Sequence, residues 1–477
     1  MQIEKVNLNI QHLSIWLTAT QGLVFHQGHK SLYMLEPLSL ALLFALDEGI
    51  NEQQTIAELQ QHSPLTSEQI APSLKQVKAL MVNNQIERTY ADGLYPELQG
   101  HLPQHAKADD FTIKVANSTF AITCQDKQLL KHITDLLAPI ALQNEQNEQN
   151  EQGQENPVNQ TIEVDFLLEI EHQNNIYTLY SNDQAVEENL SQNQVMPVLI
   201  DRLQILGYQQ SDYTFGFHGA ALTKAISKSK DPDLRQDDEG DSSRHSVLDT
   251  ESPSEAQKQE ITLLLPGVSG AGKSTLTAEL SKLNYQVYSD EIIAINNDLS
   301  LNVLALPMAI KSGSWQHIAK LYPEIETQPE WHRIDGRILK YIWPEQIAKP
   351  KSNEKNNNNG AENNDCRGEF IHLKADTATT DEISHNLQPG VNHLTPNNKT
   401  LLISPKYQAN TKPQTTPLSI IDTIALVTDG GYQLGAELTE HRVGQLIEFC
   451  KSISAYQITY ANSEQSLAII KQLINEN

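Results

Sequence analysis

Apolar residues in this chain recur with two periods, and the stretches that follow them form four segments separated by polar tracts. In the first segment, residues 1–97, His12–Leu17, Gly22–His26 and Ser31–Leu35 read as strands. Pro37 then opens a helix that Gly49 closes, with Leu38, Leu42, Leu43 and Leu46 on one face. A second helix is expected near Gln53–Gln61. Thr66 and Gln69 form a capping box for a third, with Ile70, Leu74, Val77 and Met81 as its apolar face. Strands followed by three short helices make a small winged-helix-like module. The second segment, within 98–211, alternates at Phe111–Val115 and Ile162–Ile170 and is helical in period near Leu129–Leu142 and Val195–Leu206. It reads as an α+β layer without evident chemistry. The rest, 212–477, carries strands at Phe215–Leu222, Ile261–Leu265 and Tyr285–Glu291, then Ile292–Ile295. Helical spacing follows at Leu276, Leu280 and Leu283, at Leu418, Ile421 and Leu426, and at Val443, Leu446, Ile447 and Phe449. Tyr456–Tyr460 and a helix from Ser463 close the chain. The fold class is α/β.

The tracts at about 143–160, 227–259 and 349–399 are crowded with Asn, Gln, Ser and charged residues. They bury too little apolar surface to offset ordering entropy and are expected to be disordered insertions. A length of 477 residues accommodates two or three domains. The net charge of −26, with no Lys/Arg stripe, argues against a nucleic-acid partner, and the first module presents no basic recognition helix. Three widely separated cysteines, Cys124, Cys366 and Cys450, suit a reducing compartment. The amino terminus lacks a signal-peptide layout, and no apolar run is long enough to span a bilayer. A soluble cytoplasmic protein with no membrane partner is expected.

Chemistry concentrates in Gly267-Val268-Ser269-Gly270-Ala271-Gly272-Lys273-Ser274-Thr275, which follows G-x-x-x-x-G-K-[ST] between a strand and a helix. Glycines let backbone N–H groups converge on phosphate oxygens, and the helix N-terminus adds positive potential. Lys273 is placed to reach the β- and γ-phosphates and Ser274 to ligate Mg²⁺, so ATP and Mg²⁺ are the expected cofactors. Asp290 and Glu291 end the next strand, where Mg²⁺ needs carboxylate oxygens. Asp290 is the candidate base and Glu291 the metal ligand beside it, although the residues leave open an exchange of those roles. Such an acid lies much further along in most P-loop NTPases.

This compact arrangement resembles the HPr kinase/phosphorylase family, related in nucleotide fold to phosphoenolpyruvate carboxykinases, and most closely its HPr-kinase-related branch. The stretches that carry the resemblance are FHGAAL, LLLPGVSGAGKSTLTAEL, QVYSDE, LPMAIKSGS and ISPKY. The resemblance implies transfer of the ATP γ-phosphoryl group to a serine hydroxyl, with His218 beside the phosphates and Lys311 and Lys406 as anion contacts. Arg333 and Arg337 are further candidates. Lys406 replaces the usual arginine of that last motif, and Ser312-Gly313-Ser314 lacks the usual acidic residue. The first segment, through SLYMLEPLSLALLFALDEG, TIAELQQ and VKALMVNNQIE, is similar to the PqqD family of peptide chaperones. That similarity implies capture of a leader peptide as an added β-strand. The expectation is a serine kinase acting on a peptide or small protein recruited by residues 1–97. The kinase resemblance also implies a homo-oligomer, for which the residues show no interface signal. A small-molecule kinase and a nucleotide-dependent peptide scaffold without transfer activity remain alternatives.

Overall fold

A computed structural model describes residues 3–85, 104–107, 110–142, 161–209, 213–226, 259–267, 270–296, 300–348, 399–428 and 438–476. The interiors of all three expected insertions lie outside these residues. At their edges the expectation needs correcting, because Gln259 and Lys399 begin strands of the main sheet.

Residues 3–85 form an antiparallel sheet of Glu4–Val6, Leu13–Leu17, Gly22–His26 and Ser31–Leu35, in that order, followed by helices Pro37–Asp47, Glu52–His62 and Ser67–Leu80. The capping box closes as the sequence indicates: the Gln69 backbone N–H donates to Thr66 Oγ1 (3.3 Å), and the Thr66 N–H donates to Gln69 Oε1 (2.8 Å). The central strands are buried on both sides, and alternation sorts their residues. Leu13, Ile15 and Val24 pack with Leu42, Leu43, Ile70, Leu74 and Val77 of the helices. Trp16, Leu23 and Phe25 point the other way and join Phe215, Phe217, Val443 and Phe449 of the carboxy-terminal unit. An ion pair between Lys5 and Glu440 borders this contact.

The middle unit has a five-stranded sheet, ordered Gln184–Leu190, Ile176–Ser181, Phe166–Gln173, Ser118–Cys124 and Phe111–Val115. Helices Lys127–Leu137 and Gln192–Gln209 contribute to its core. The single run expected at Ile162–Ile170 is two strands in different sheets. Thr161–Val164 pairs with Gln104–Lys107, whereas Phe166–Gln173 joins the five-stranded sheet. Asp165 makes the break: its carboxylate accepts the Thr119 N–H (2.7 Å) and hydroxyl (2.8 Å), and so replaces a ladder bond.

The carboxy-terminal sheet runs Gln286–Ser289, Phe215–Ile226, Gln259–Pro266, Lys399–Tyr407, Ser454–Tyr460, Gln414–Pro417, with Ile292–Ile295 also paired to Phe215–Ile226. Gln259–Pro266, Lys399–Tyr407 and Ser454–Tyr460 are parallel, and the remaining pairings are antiparallel. Leu263 and Leu265 face the helices Lys273–Lys282 and Ser463–Glu476. Leu264 faces Ile420–Thr428 and Glu440–Ser452 on the other side. Two-sided burial explains why Leu263, Leu264 and Leu265 follow one another without polar alternation. Leu283, expected on a helix face, falls one residue past the helix and is exposed, and Leu418 precedes its helix, which begins at Ile420. A three-stranded sheet, Met308–Lys311, Ile338–Ile342 and Trp331–His332, stands beside the glycine loop.

Phe25 is 2 % exposed at the junction between units. Phe25→Ala should therefore lower stability by about 3–5 kcal/mol in denaturant melts. Met34→Ala, at an exposed site of the same module, should change it by less than about 0.5 kcal/mol.

Candidate functional site

The glycine loop leaves the strand Gln259–Pro266 and enters the helix Lys273–Lys282. Of its expected residues, Val268 and Ser269 lie outside the described set; Gly267 and Gly270–Thr275 are within it. Gly270 (φ 91°) and Gly272 (φ 96°) take left-handed backbone conformations that L side chains rarely adopt. At Gly272 space is also restricted, because an added Cβ would lie 2.7 Å from the Tyr460 hydroxyl. The first three helical side chains diverge. Lys273, 6 % exposed, turns back so that its Nζ donates to Gly267 O (2.7 Å) and to His218 Nε2 (2.9 Å). Ser274 turns to Asp290, and the Thr275 hydroxyl donates to Ser314 Oγ (3.2 Å).

His218 lies on the neighbouring strand, 8 % exposed. An ammonium only donates, so His218 Nε2 accepts and the proton sits on Nδ1, which faces Glu291 Oε1 at 3.4 Å. Burial holds the imidazole pKa below its ordinary value; the Glu291 carboxylate opposes this and Lys273 reinforces it. Burial likewise lowers Lys273, against the pull of Glu291 and Asp290. The Asp290-Glu291 turn is shaped by Ser289, whose Oγ accepts the N–H groups of Glu291 (3.3 Å) and Ile292 (3.1 Å). Ser289 is a positioning residue that sequence patterning leaves unassigned.

The two acids are not equivalent. Glu291 lines a cleft of about 280 Å³ together with His218, Lys273, Ser274 and Thr275. Asp290 sits beside the Ser274 hydroxyl instead, and burial, reinforced by Glu291, pushes its pKa up to about 7 against the pull of Ser274, Lys273 and Thr277. Asp290 Oδ1 is buried and has no hydrogen-bond partner among the described residues. An orphaned carboxylate oxygen beside a serine hydroxyl and a glycine loop is a donor set that a hard divalent cation would fit. No group of three or more His, Cys, Asp or Glu side chains among the described residues is gathered to hold a metal.

Lys311, Arg333 and Arg337 line the cleft from the three-stranded sheet and its hairpin. Lys406 does not: it is exposed on the strand Lys399–Tyr407, outside the residues that line the cleft. The hairpin arginines carried no distinguishing sequence signal, because charge at a turn usually marks solvent. Behind the loop helix, Glu279 Oε1 accepts from the Ser463 hydroxyl and meets His317 Nε2 at 2.6 Å. Ser463 Oγ is also 3.0 Å from that same nitrogen. Both partners use one imidazole nitrogen, so the cluster pins the helix to Ser463–Glu476 and is not a proton relay.

No protein-family model matches the chain, and no curated protein matches it. No helix among the described residues is long and apolar enough to cross a membrane.

Asp290→Asn should stabilise the protein by removing a buried charge. The folded-state value near 7 exceeds the unfolded 3.8, so the wild type loses stability as pH rises from about 4 to 7. The melting-temperature gain of the variant should accordingly be small at pH 5 and several degrees at pH 8. Gly272→Ala should cost about 1–3 kcal/mol, read by denaturant melts.

Proposed function

We propose that this chain is an ATP- and Mg²⁺-dependent serine kinase of the HPr-kinase-related type, with the α/β nucleotide core that resemblance implies. The observation that carries the reading is the convergence on one cleft of the Lys273 ammonium, the Ser274 hydroxyl with Asp290 buried beside it, and the His218–Glu291 pair. The glycine loop and the helix N-terminus hold the β- and γ-phosphates, with Lys273 swinging from Gly267 O to phosphate oxygens. Ser274 and Asp290 would hold Mg²⁺, which when bound would neutralise phosphate charge. Glu291, facing the cleft, takes the proton of the acceptor hydroxyl as its oxygen bonds to γ-phosphorus and the bond to the bridging oxygen of ADP breaks. His218, neutral at Nε2 and facing Glu291 through Nδ1, holds that carboxylate and the lysine in register. The roles of the two acids are thus exchanged relative to the sequence-based allocation. Asp290 is oriented toward Ser274 and Glu291 toward the space an acceptor would occupy.

The acceptor is a peptide or small protein recruited by the module at 3–85, and the protein works in the cytoplasm. Ser31–Leu35 is an edge strand of the four-stranded sheet, suited to receiving an extended peptide by main-chain pairing. The acidic chain and the absence of a basic stripe support a protein-directed role over a nucleic-acid one.

The test is transfer of the γ-phosphoryl of labelled ATP to peptides encoded next to the gene. Lys273→Ala should slow transfer by about 100-fold or more. Glu291→Gln should abolish transfer while keeping Mg²⁺-dependent nucleotide binding, and Asp290→Asn should raise the Mg²⁺ requirement. A Lys273→Ala rate near that of the wild type would refute the phosphate-site reading.

A further inference from the structure

Alternation along the strand Lys399–Tyr407 sends its last two residues to different faces of the main sheet. Leu401 and Ile403 pack with Leu276 and Leu280 of the glycine-loop helix, whereas Leu402 packs with Ile421 and Ile424 on the other side. Tyr407 shares the face of Leu401 and Ile403, and Lys406 does not. The register with Ser454–Tyr460 runs unbroken to the pair Tyr407–Tyr460, so two rings end neighbouring strands on one face. Their centroids are 6.2 Å apart and their planes meet at 67°. Tyr460 is buried among the residues around Leu276 and Leu280, but Tyr407 is 56 % exposed. No other Phe, Tyr or Trp among the described residues is exposed.

Both tyrosines adjoin the glycine loop. A Cβ at Gly272, which lines the cleft, would lie 2.7 Å from the Tyr460 hydroxyl and 3.7 Å from Tyr407 Cβ. The parallel strands Gln259–Pro266, Lys399–Tyr407 and Ser454–Tyr460 turn their carboxyl ends the same way, and open α/β sheets bind ligands outside such ends. The acids and the histidine lie to one side of the loop strand: His218 on Phe215–Ile226, Asp290 and Glu291 just after Gln286–Ser289. Tyr407 and Tyr460 lie to the other side, on the next two strands. A nucleoside triphosphate is elongated, with the γ-phosphoryl group at one end and the base at the other. When its phosphates follow the loop with the γ-phosphoryl group toward Asp290 and Glu291, the base is directed to the strand ends that carry the tyrosines. A base has a flat π-face, and an exposed phenol ring at that place offers it a stacking partner.

We propose that Tyr407 is the base-stacking residue of the nucleotide site, with buried Tyr460 as its positioning residue. The proposal rests on the reading of the glycine loop as a nucleotide site and deepens it by naming where the base lies. Stacking acts on the face of a base, so this contact favours a nucleotide over the bare phosphate chain.

The experiment is calorimetric titration of the full chain, in Mg²⁺ buffer, with ATP and with inorganic tripolyphosphate, which has the phosphates without the base. The wild type should bind ATP more tightly than tripolyphosphate. Tyr407→Ala should weaken ATP binding by about tenfold and leave tripolyphosphate binding unchanged. Tyr407→Leu, which keeps apolar bulk without a π-face, should behave like the alanine variant. Tyr407→Phe, which keeps the ring, should match the wild type. Because the side chain is exposed, these variants should fold, and tripolyphosphate binding reports that they have. If Tyr407→Ala and Tyr407→Leu bind ATP as the wild type does, or lose ATP and tripolyphosphate alike, the stacking role is overturned while the wild type's phosphate site stands. Equal affinity of the wild type for the two ligands would overturn it as well. A wild type that binds neither ligand would overturn the nucleotide reading itself, and the proposal with it.

Discussion

The backbone pairing of one long strand, Phe215–Ile226, sets the geometry on which the rest of the molecule depends. On one edge it pairs with Gln259–Pro266, which carries the glycine loop, so Gly219 stands opposite Pro266. On the other edge it pairs first with Ile292–Ile295 and then with Gln286–Ser289, so His218 stands opposite Ile292 and Ala221 opposite Ser289. The Gly219 N–H donates to the Glu291 carbonyl (2.9 Å) at the point where the two partners meet. Loop, histidine and acidic turn therefore converge within a few residues of one strand. A one-residue slip would turn His218 to the opposite face of the sheet and away from Lys273.

Around that strand the units share cores. Burial on the middle-unit side runs continuously from Val195 and Leu199 of its long helix to Ile292, Trp331 and Tyr341 beside the cleft. On the opposite side Trp16 and Phe25 of the amino-terminal module meet Phe215 and Phe217. The strand bearing His218 thus lies between the two accessory units. Each accessory unit is therefore joined to the site by a continuous packed core.

Electrostatics separates two tasks within the cleft. Asp290 is held where burial disfavours its charge, with one carboxylate oxygen left without a hydrogen-bond partner among the described residues. Glu291 and His218 face each other at the cleft surface. Neighbouring residues in a turn point in different directions, so one acid meets Ser274 while the next meets the cleft. A linear reading cannot rank two adjacent carboxylates; the hydroxyl of Ser289, by fixing that turn, does.

The sequence by itself determined whatever depends on near neighbours. The capping box at Thr66 and Gln69, the strand–loop–helix context of Lys273 and the apolar faces at Ile70, Leu74 and Val77 follow from local spacing and appear in the structure as expected. Only tertiary structure decided matters that turn on distant partners. Asp165 divides an apparently continuous strand because Thr119 offers it two donors. Arg333 becomes a cleft residue because Asp201, in another unit, holds its guanidinium. Lys406, favoured by its motif, lies outside the cleft, whose lining draws instead on Lys311 and Leu339 of two paired strands. Periodicity encodes which face of an element is buried, but not which element will cover it. The partners of a charged side chain are fixed only when separate elements pack together.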